Sequence, residues 1–92
     1  MIDSISYSNI VDNIPKLQWA CRRGMKELDD LLSNYLKNCY AISGLEDKHA
    51  FIQLLSYSDP EIFSWLFMGI QPMDPCIAKI IEAIKHHGHT RN

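Results

Sequence analysis

The sequence has little of what marks the specialised classes of small protein. Its 92 residues include only three cysteines, four glycines and four prolines, and the formal net charge at pH 7 is −2. Three widely spaced cysteines without a C-x-x-C pair argue against a disulfide-stapled secreted domain and indicate a reducing compartment. A nucleic-acid-binding domain of this size is normally basic, so the charge disfavours that class as well.

Long hydrophobic runs are also missing. The most apolar segment, residues 62–70, is far shorter than the roughly 20 residues that a membrane-spanning helix needs. Residues 1–6 show neither the basic and then apolar pattern of a secretory signal nor the arginine-rich composition of a transit peptide. We therefore expect a cytoplasmic protein without direct membrane insertion; an organelle, reached with a targeting segment that is then removed, is the alternative.

The composition is that of one folded domain. Hydrophobic residues make up 47% of the chain and charged residues 22%, which is ordinary for a folded domain and wrong for a disordered one. We expect a single domain over residues 1–92. Residues 1–13 show no sustained periodicity and should form a loose arm, and the polar residues 86–92 should form a frayed tail.

Apolar residues recur at helical spacing in several segments separated by start signals. The clearest stripe consists of Met25, Leu28, Leu32, Tyr35, Leu36 and Cys39, and the last consists of Ile77, Ile80, Ile81 and Ile84. The expected starts are Pro15, a capping box from Ser43 to Glu46, Asp59 as N-cap before Pro60, and Asp74 before Pro75. No segment keeps the period of a strand. The sequence predicts an all-α fold, a compact bundle of about five short helices.

Other side chains receive ordinary structural interpretations. Phe63, Trp65 and Phe67 lie at helical spacing and are expected in the core. The three cysteines are expected to be buried or half-buried thiols. The histidines of the tail, at 86, 87 and 89, are expected to be solvated, so no metal site is predicted.

The segment around Gly24 carries two charged residues whose spacing is poorly explained as a stabilising ion pair of a helix. Arg23 and Glu27 are four residues apart, but arginine before glutamate is the weaker orientation for a helical ion pair. Gly24 lies between two helical patterns, where a turn or the close approach of another backbone explains it best. The three residues would make a small polar surface. A solvated face with a helix-ending glycine is the alternative that general physics leaves open.

The same segment resembles the RGxxE motif of the succinate dehydrogenase flavinylation assembly factors, which have also been described as antitoxin-like. The resemblance runs in one register from about Leu17 to about Ile84. It includes W-A-C-R-R-G-M at residues 19–25, D-P-x-I-F-x-W-L at residues 59–66 and P-x-D at residues 72–74. The ordered series is far more specific than the five-residue motif alone.

The resemblance implies a five-helix assembly factor and not an enzyme. Such a protein binds the flavoprotein subunit of succinate dehydrogenase, or of fumarate reductase, and promotes covalent attachment of FAD to a histidine of that subunit. No tightly bound cofactor is expected, and FAD is implied only through the client. The partner-contacting residues would be Arg23, Gly24 and Glu27, flanked by Arg22, Met25 and Lys26. The free protein is expected to be a monomer.

Two other functions stay open at this point. Similar proteins have been described as antitoxins that neutralise a membrane-associated toxin. A small metal-binding or redox protein could instead use the histidines and cysteines. On the residues alone, a binding protein fits better than a catalyst, because we find no nucleophile–base pair, phosphate loop or helical metal motif in the sequence.

Overall fold

The computed structural model describes residues 11–90, with side chains up to His87. Within this range lie five α-helices: α1 (Ile14–Ala20), α2 (Lys26–Tyr35), α3 (Leu45–Leu54), α4 (Asp59–Phe67) and α5 (Pro75–Thr90). A π-helical segment, Leu36–Tyr40, continues α2 without a break. Residues 11–90 contain no strand, so the prediction of an all-α fold with about five helices is confirmed.

Helix α5 lies at the centre of the bundle. It packs against α2, α3 and α4, and the four isoleucines of its stripe are all buried. Isoleucine favours strands by propensity, but here its helical spacing decides the structure because it places all four side chains on one face. As predicted, Asp74 starts the helix: its Oδ1 accepts a hydrogen bond from the backbone N–H of Cys76 at 2.9 Å.

The other helices bury matching stripes against α5. Leu28 and Leu32 of α2 are fully buried, as are Phe51 and Leu54 of α3. The Phe51 ring lies 5.3 Å from the Tyr35 ring and 5.6 Å from the Tyr40 ring, measured between centroids. Each such large apolar side chain stabilises the fold by about 1.5–3 kcal/mol, so burial of these stripes is the main source of stability.

Two helix starts differ from the prediction. The N-cap of α4 is Ser58, which forms a reciprocal capping box with Glu61, and Asp59 is the first helical residue. The capping box predicted for α3 does not form: Gly44 is the N-cap, and the Ser43 hydroxyl instead donates to the carbonyl of Tyr40 at 2.7 Å. The local carbonyl left by the end of the preceding helical segment competes successfully for that hydroxyl.

The expected loose arm and frayed tail lie in part outside the described residues, which exclude residues 1–10 and 91–92. Within the expected arm, Val11 is buried, and its carbonyl accepts a hydrogen bond from the Tyr40 hydroxyl at 2.9 Å. Within the expected tail, His86 and His87 belong to α5, and His87 is half-buried.

Some apolar side chains and one thiol are more exposed than expected. Phe67 is 41% exposed, and Met68, Ile70 and Met73 beyond it are more exposed still. Trp65 is half-buried and packs against the core, with its ring edge-on to Tyr57. Cys21 is buried and Cys39 half-buried, but Cys76 is exposed. Within residues 11–90, no helix combines the length and apolarity that crossing a membrane requires.

Candidate functional site

The segment with the RGxxE motif forms the loop between α1 and α2, which we call the RG loop (residues 21–25). Its first residue, Cys21, caps α1 and is fully buried, and its last, Met25, is extended and half-buried against the core. Gly24 has φ = +89°, a conformation that L side chains rarely adopt. The loop therefore needs glycine at this position for its backbone conformation.

The carboxylate of Asp29 holds the RG loop from the first turns of α2. Its Oδ1 accepts a hydrogen bond from the Arg23 backbone N–H at 2.6 Å, and its Oδ2 accepts one from the Gly24 N–H at 3.3 Å. Hydrogen bonds to an ionised acceptor are stronger than neutral ones. Two successive backbone groups are thus fixed by one side chain, and the loop is held in one shape.

Arg23 points into the protein and not toward a partner. Its guanidinium and Nε donate to three backbone carbonyls, those of Ala20 at 2.9 Å, Tyr57 at 3.2 Å and Leu55. The Leu55 and Tyr57 carbonyls belong to the connection between α3 and α4, so a single side chain joins two loops that are distant in sequence. The planar fork of arginine suits this role because it presents several donors in fixed directions.

An ion pair completes the Arg23 network. Nη1 of Arg23 lies 2.8 Å from Oδ1 of Asp59, and the two side chains are 12% and 36% exposed. Arg23 and Glu27 therefore do not share a helix face, and Arg23 is not part of the small polar surface that was expected of Arg23, Gly24 and Glu27. The physical reason is that the chain around Arg23 is a loop, so helical spacing does not apply to its side chain, whereas Glu27 lies in the first turn of α2.

The exposed part of the motif surrounds Gly24. Gly24, Lys26 and Glu27 are all exposed, and a Cβ built on Gly24 would meet no atom of the described residues within 4 Å, apart from its two chain neighbours. Arg22, Gly24 and Lys26 line a shallow depression together with Asp29, Asp30 and Ser33. We call Arg22, Gly24, Lys26 and Glu27 the RG surface. It carries both charge signs and open space above a bare backbone.

A large aromatic side chain extends this surface onto α1. Trp19 is 72% exposed, and the guanidinium carbon of Arg22 lies 5.8 Å from its ring centroid. A mostly apolar groove lined by Lys16, Trp19, Ala20 and Arg22 therefore adjoins the depression beside Gly24. Exposed tryptophan next to arginine is the composition typical of binding surfaces.

At the start of the RG loop, burial raises the pKa of the Cys21 thiol to about 12, although the nearby positive charge of Arg23 lowers it in part. The thiol is neutral at physiological pH and serves as a small core side chain. Among the side chains described, no group of three or more His, Cys, Asp or Glu could hold a metal ion.

Sequence reasoning missed three residues of the site. Asp29 could have been recognised as an acidic residue in the first turns of a helix that follows a glycine loop. Asp59 was interpreted as an N-cap, and only the tertiary structure brings it to Arg23. Trp19 belongs to the resembling segment, but nothing in its spacing indicates that it is exposed.

Comparisons with known proteins cover nearly the whole described chain. The family model described as "Flavinator of succinate dehydrogenase" matches residues 15–88. A "FAD assembly factor SdhE" of Shewanella oneidensis is 45% identical over 74 residues, which are 79% of this chain and 89% of that protein. Proteins of the same name from Francisella tularensis and Serratia sp. are 38% and 36% identical, over 89% and 88% of this chain and 90% and 92% of their own lengths. The chain, with its RG loop held by Asp29 and Arg23, therefore belongs to the family of flavinators of succinate dehydrogenase.

Proposed function

We propose that this protein binds the flavoprotein subunit of succinate dehydrogenase and promotes the covalent attachment of FAD to it. Membership of the family, over residues 15–88, supports this function. The observation on the molecule itself that supports it most directly is Gly24, exposed at positive φ on a loop whose shape is already fixed. A rigid bare backbone suits close docking against another protein.

The residues of the motif divide into two roles. Arg23 and Asp29 act as positioning residues, because their hydrogen bonds are made within the chain. Arg22, Lys26 and Glu27 act as partner contacts, since they are exposed and carry charge. Ordering the loop before binding lowers the entropic cost of association, so the internal network contributes to affinity without touching the partner.

The protein needs no reactive group of its own for this role. The acceptor histidine and the flavin both belong to the client, and a flavin supplies its own electrophilic chemistry. What remains is alignment of two groups, and fixing such geometry lowers a reaction barrier substantially. We therefore assign the protein the role of an assembly factor without turnover chemistry.

FAD fits the client better than it fits this chain. The depression beside Gly24 is lined by Asp29 and Asp30 as well as by Arg22 and Lys26, so it has no net positive charge to attract the pyrophosphate of a dinucleotide. We therefore assign FAD to the client. As further parts of the proposal, the flavoprotein of fumarate reductase is a second client, and the free protein is a cytoplasmic monomer.

The test compares two glycines with the same backbone conformation. Gly24 has φ = +89° and Gly69 has φ = +75°, and among residues 11–90 a Cβ on either would meet nothing within 4 Å beyond the adjacent residues of the chain. Gly24→Leu and Gly69→Leu should therefore lose similar stability, on the order of 1–2 kcal/mol. Only Gly24→Leu should lose binding to the apo-flavoprotein, because only there does the new side chain stand in the proposed interface.

The measurements are a titration of each variant against the apo-flavoprotein subunit, in-gel flavin fluorescence of that subunit, and the helical circular dichroism signal. A folded Gly24→Leu protein that binds and supports flavinylation like the wild type would show that Gly24 serves the turn alone. Equal losses of binding in the two variants would show that the effect comes from reduced stability. Normal flavinylation without this protein would refute the proposed function itself.

A further inference from the structure

A cysteine and a histidine, Cys39 and His87, lie in contact beyond the C-terminal end of α2, at the opposite end of that helix from the RG loop. The Cys39 sulfur, in the π-helical segment, is 3.4 Å from Nδ1 of His87 in α5. The residues are 48 positions apart, so only the packing of α5 against α2 brings them together. A thiol and an imidazole at this distance can exchange a proton.

The pair is accessible from solution. Cys39 and His87 are both half-buried, and they line a surface groove together with Ile42, Ser43 and His86. The His87 ring stands edge-on to the Tyr35 ring, 6.5 Å between centroids. A small solute in the groove can therefore reach the sulfur beside the imidazole.

The ionisable groups around the pair come from three elements. Tyr35 belongs to α2, Asp47 to α3 and His86 to α5. Burial is the main cause that raises the pKa of Tyr35, to about 12, and the Asp47 carboxylate adds to the rise. The Tyr35 hydroxyl is therefore neutral at physiological pH, and the group in contact with the Cys39 sulfur is Nδ1 of the His87 imidazole.

The other two thiols differ from Cys39. Cys21, the first residue of the RG loop, is fully buried, and burial raises its pKa to about 12, so it is inert toward solutes. Cys76 is exposed at the start of α5. Cys39 alone among the three is described with an imidazole nitrogen in contact with its sulfur.

We propose that Cys39 and His87 form a thiol modification site for small-molecule disulfides. Nδ1 of His87 accepts the thiol proton while the Cys39 sulfur attacks one sulfur of the disulfide. A new S–S bond forms, the old one breaks, and the leaving sulfur departs with the electron pair and then takes up the proton. Cys39 is oxidised to a mixed disulfide and the departing thiol is the reduced product.

This site is separate from the RG surface and does not depend on the proposed function. Lys26 begins α2 and Tyr40 ends its π-helical continuation, so the two sites lie about 20 Å apart along the helix axis. An adduct on Cys39 would occupy the groove between the π-helical segment and α5. It would leave the exposed face around Gly24 uncovered.

The test uses the full chain with Cys21→Ala and Cys76→Ser, so that Cys39 is the one thiol in both the folded and the denatured chain. The probe is dithiobis(nitrobenzoate), an aromatic disulfide whose released thiolate absorbs visible light, and mass spectrometry locates the adduct. We expect native Cys39 to react about tenfold faster than the same residue in guanidinium-denatured chain, because a positioned base assists it only in the fold. A half-buried thiol without assistance reacts more slowly when folded.

Adding His87→Phe should remove this advantage, whereas His86→Phe, which removes an imidazole from the same groove, should keep it. His87→Asn replaces His87→Phe if the latter loses its helical signal. An unchanged native rate in the His87 variants, or a native rate below the denatured one with His87 present, would show that the contact is packing only.

Discussion

Replacing Arg23 with alanine should destabilise the fold, although the residue belongs to a motif that resembles a surface feature. The substitution removes three hydrogen bonds to backbone carbonyls and the 2.8 Å ion pair with Asp59. A hydrogen bond from a charged group is worth about 1.5–3 kcal/mol. The loss of stability should be smaller than the sum of these contributions, because the Asp59 side chain is 36% exposed and water can replace part of the lost partners.

The expected loss is about 2–4 kcal/mol of unfolding free energy, against a total of about 5–10 kcal/mol for a domain of this size. It corresponds to a fall in melting temperature of about 10 °C or more. Urea denaturation followed by circular dichroism measures it. Arg22→Ala is the matched control: Arg22 is exposed, so its loss should stay within about 0.5 kcal/mol.

Two further variants identify the cause. Arg23→Lys keeps the charge but not the planar fork, so its loss should lie between those of wild type and Arg23→Ala. A double-mutant cycle of Arg23→Ala with Asp59→Ala should give a coupling energy of about 0.5–2 kcal/mol. If Arg23→Ala is no less stable than Arg22→Ala, the internal network adds nothing to the free energy of unfolding, and Arg23 would instead be assigned as a partner contact.

Two other predictions concern the core. Leu32→Ala should cost about 2–4 kcal/mol, because Leu32 is fully buried in α2 and truncation leaves a cavity; thermal and urea unfolding measure it, and a loss equal to that of Arg22→Ala would contradict it. Stability should also fall above about pH 9. Burial raises the pKa of folded Cys21 from 9.0 to about 12, so between these values the unfolded chain has released a proton that the folded protein retains, whereas below pH 9 Cys21 adds no slope. Urea unfolding at pH 8, 9 and 10 measures the slope, which should be shallower in Cys21→Ala; an identical slope would refute the assignment to Cys21.

Much of the fold could be predicted from local patterns. The stripes of α2 and α5 are continuous in sequence, and the spacing of Leu28, Leu32, Ile77 and Ile81 already places each on a buried helix face. The prediction was weaker at helix starts. Ser58 rather than Asp59 caps α4, because both residue types are good caps and only the backbone path decides between neighbours.

The site was predicted less completely than the fold. Gly24 was expected at a turn or at a close approach of another backbone, because glycine between two helical patterns is best explained in that way. Its positive φ agrees with a turn. The expectation that Arg23 lies on an exposed polar surface was wrong. A side chain with several rotatable bonds on a loop can reach many partners, and nothing local indicates the carbonyls of Leu55 and Tyr57 as its acceptors.

The sequence by itself determined the number and faces of the helices, and the positions where glycine must interrupt them, because these depend on residues within a few positions of each other. The tertiary structure alone decided which polar groups meet. Arg23 with Asp59, and Cys39 with His87, are 36 and 48 residues apart. Such contacts arise from how buried faces pack against α5, and the angle and register of packed helices depend on all their side chains together.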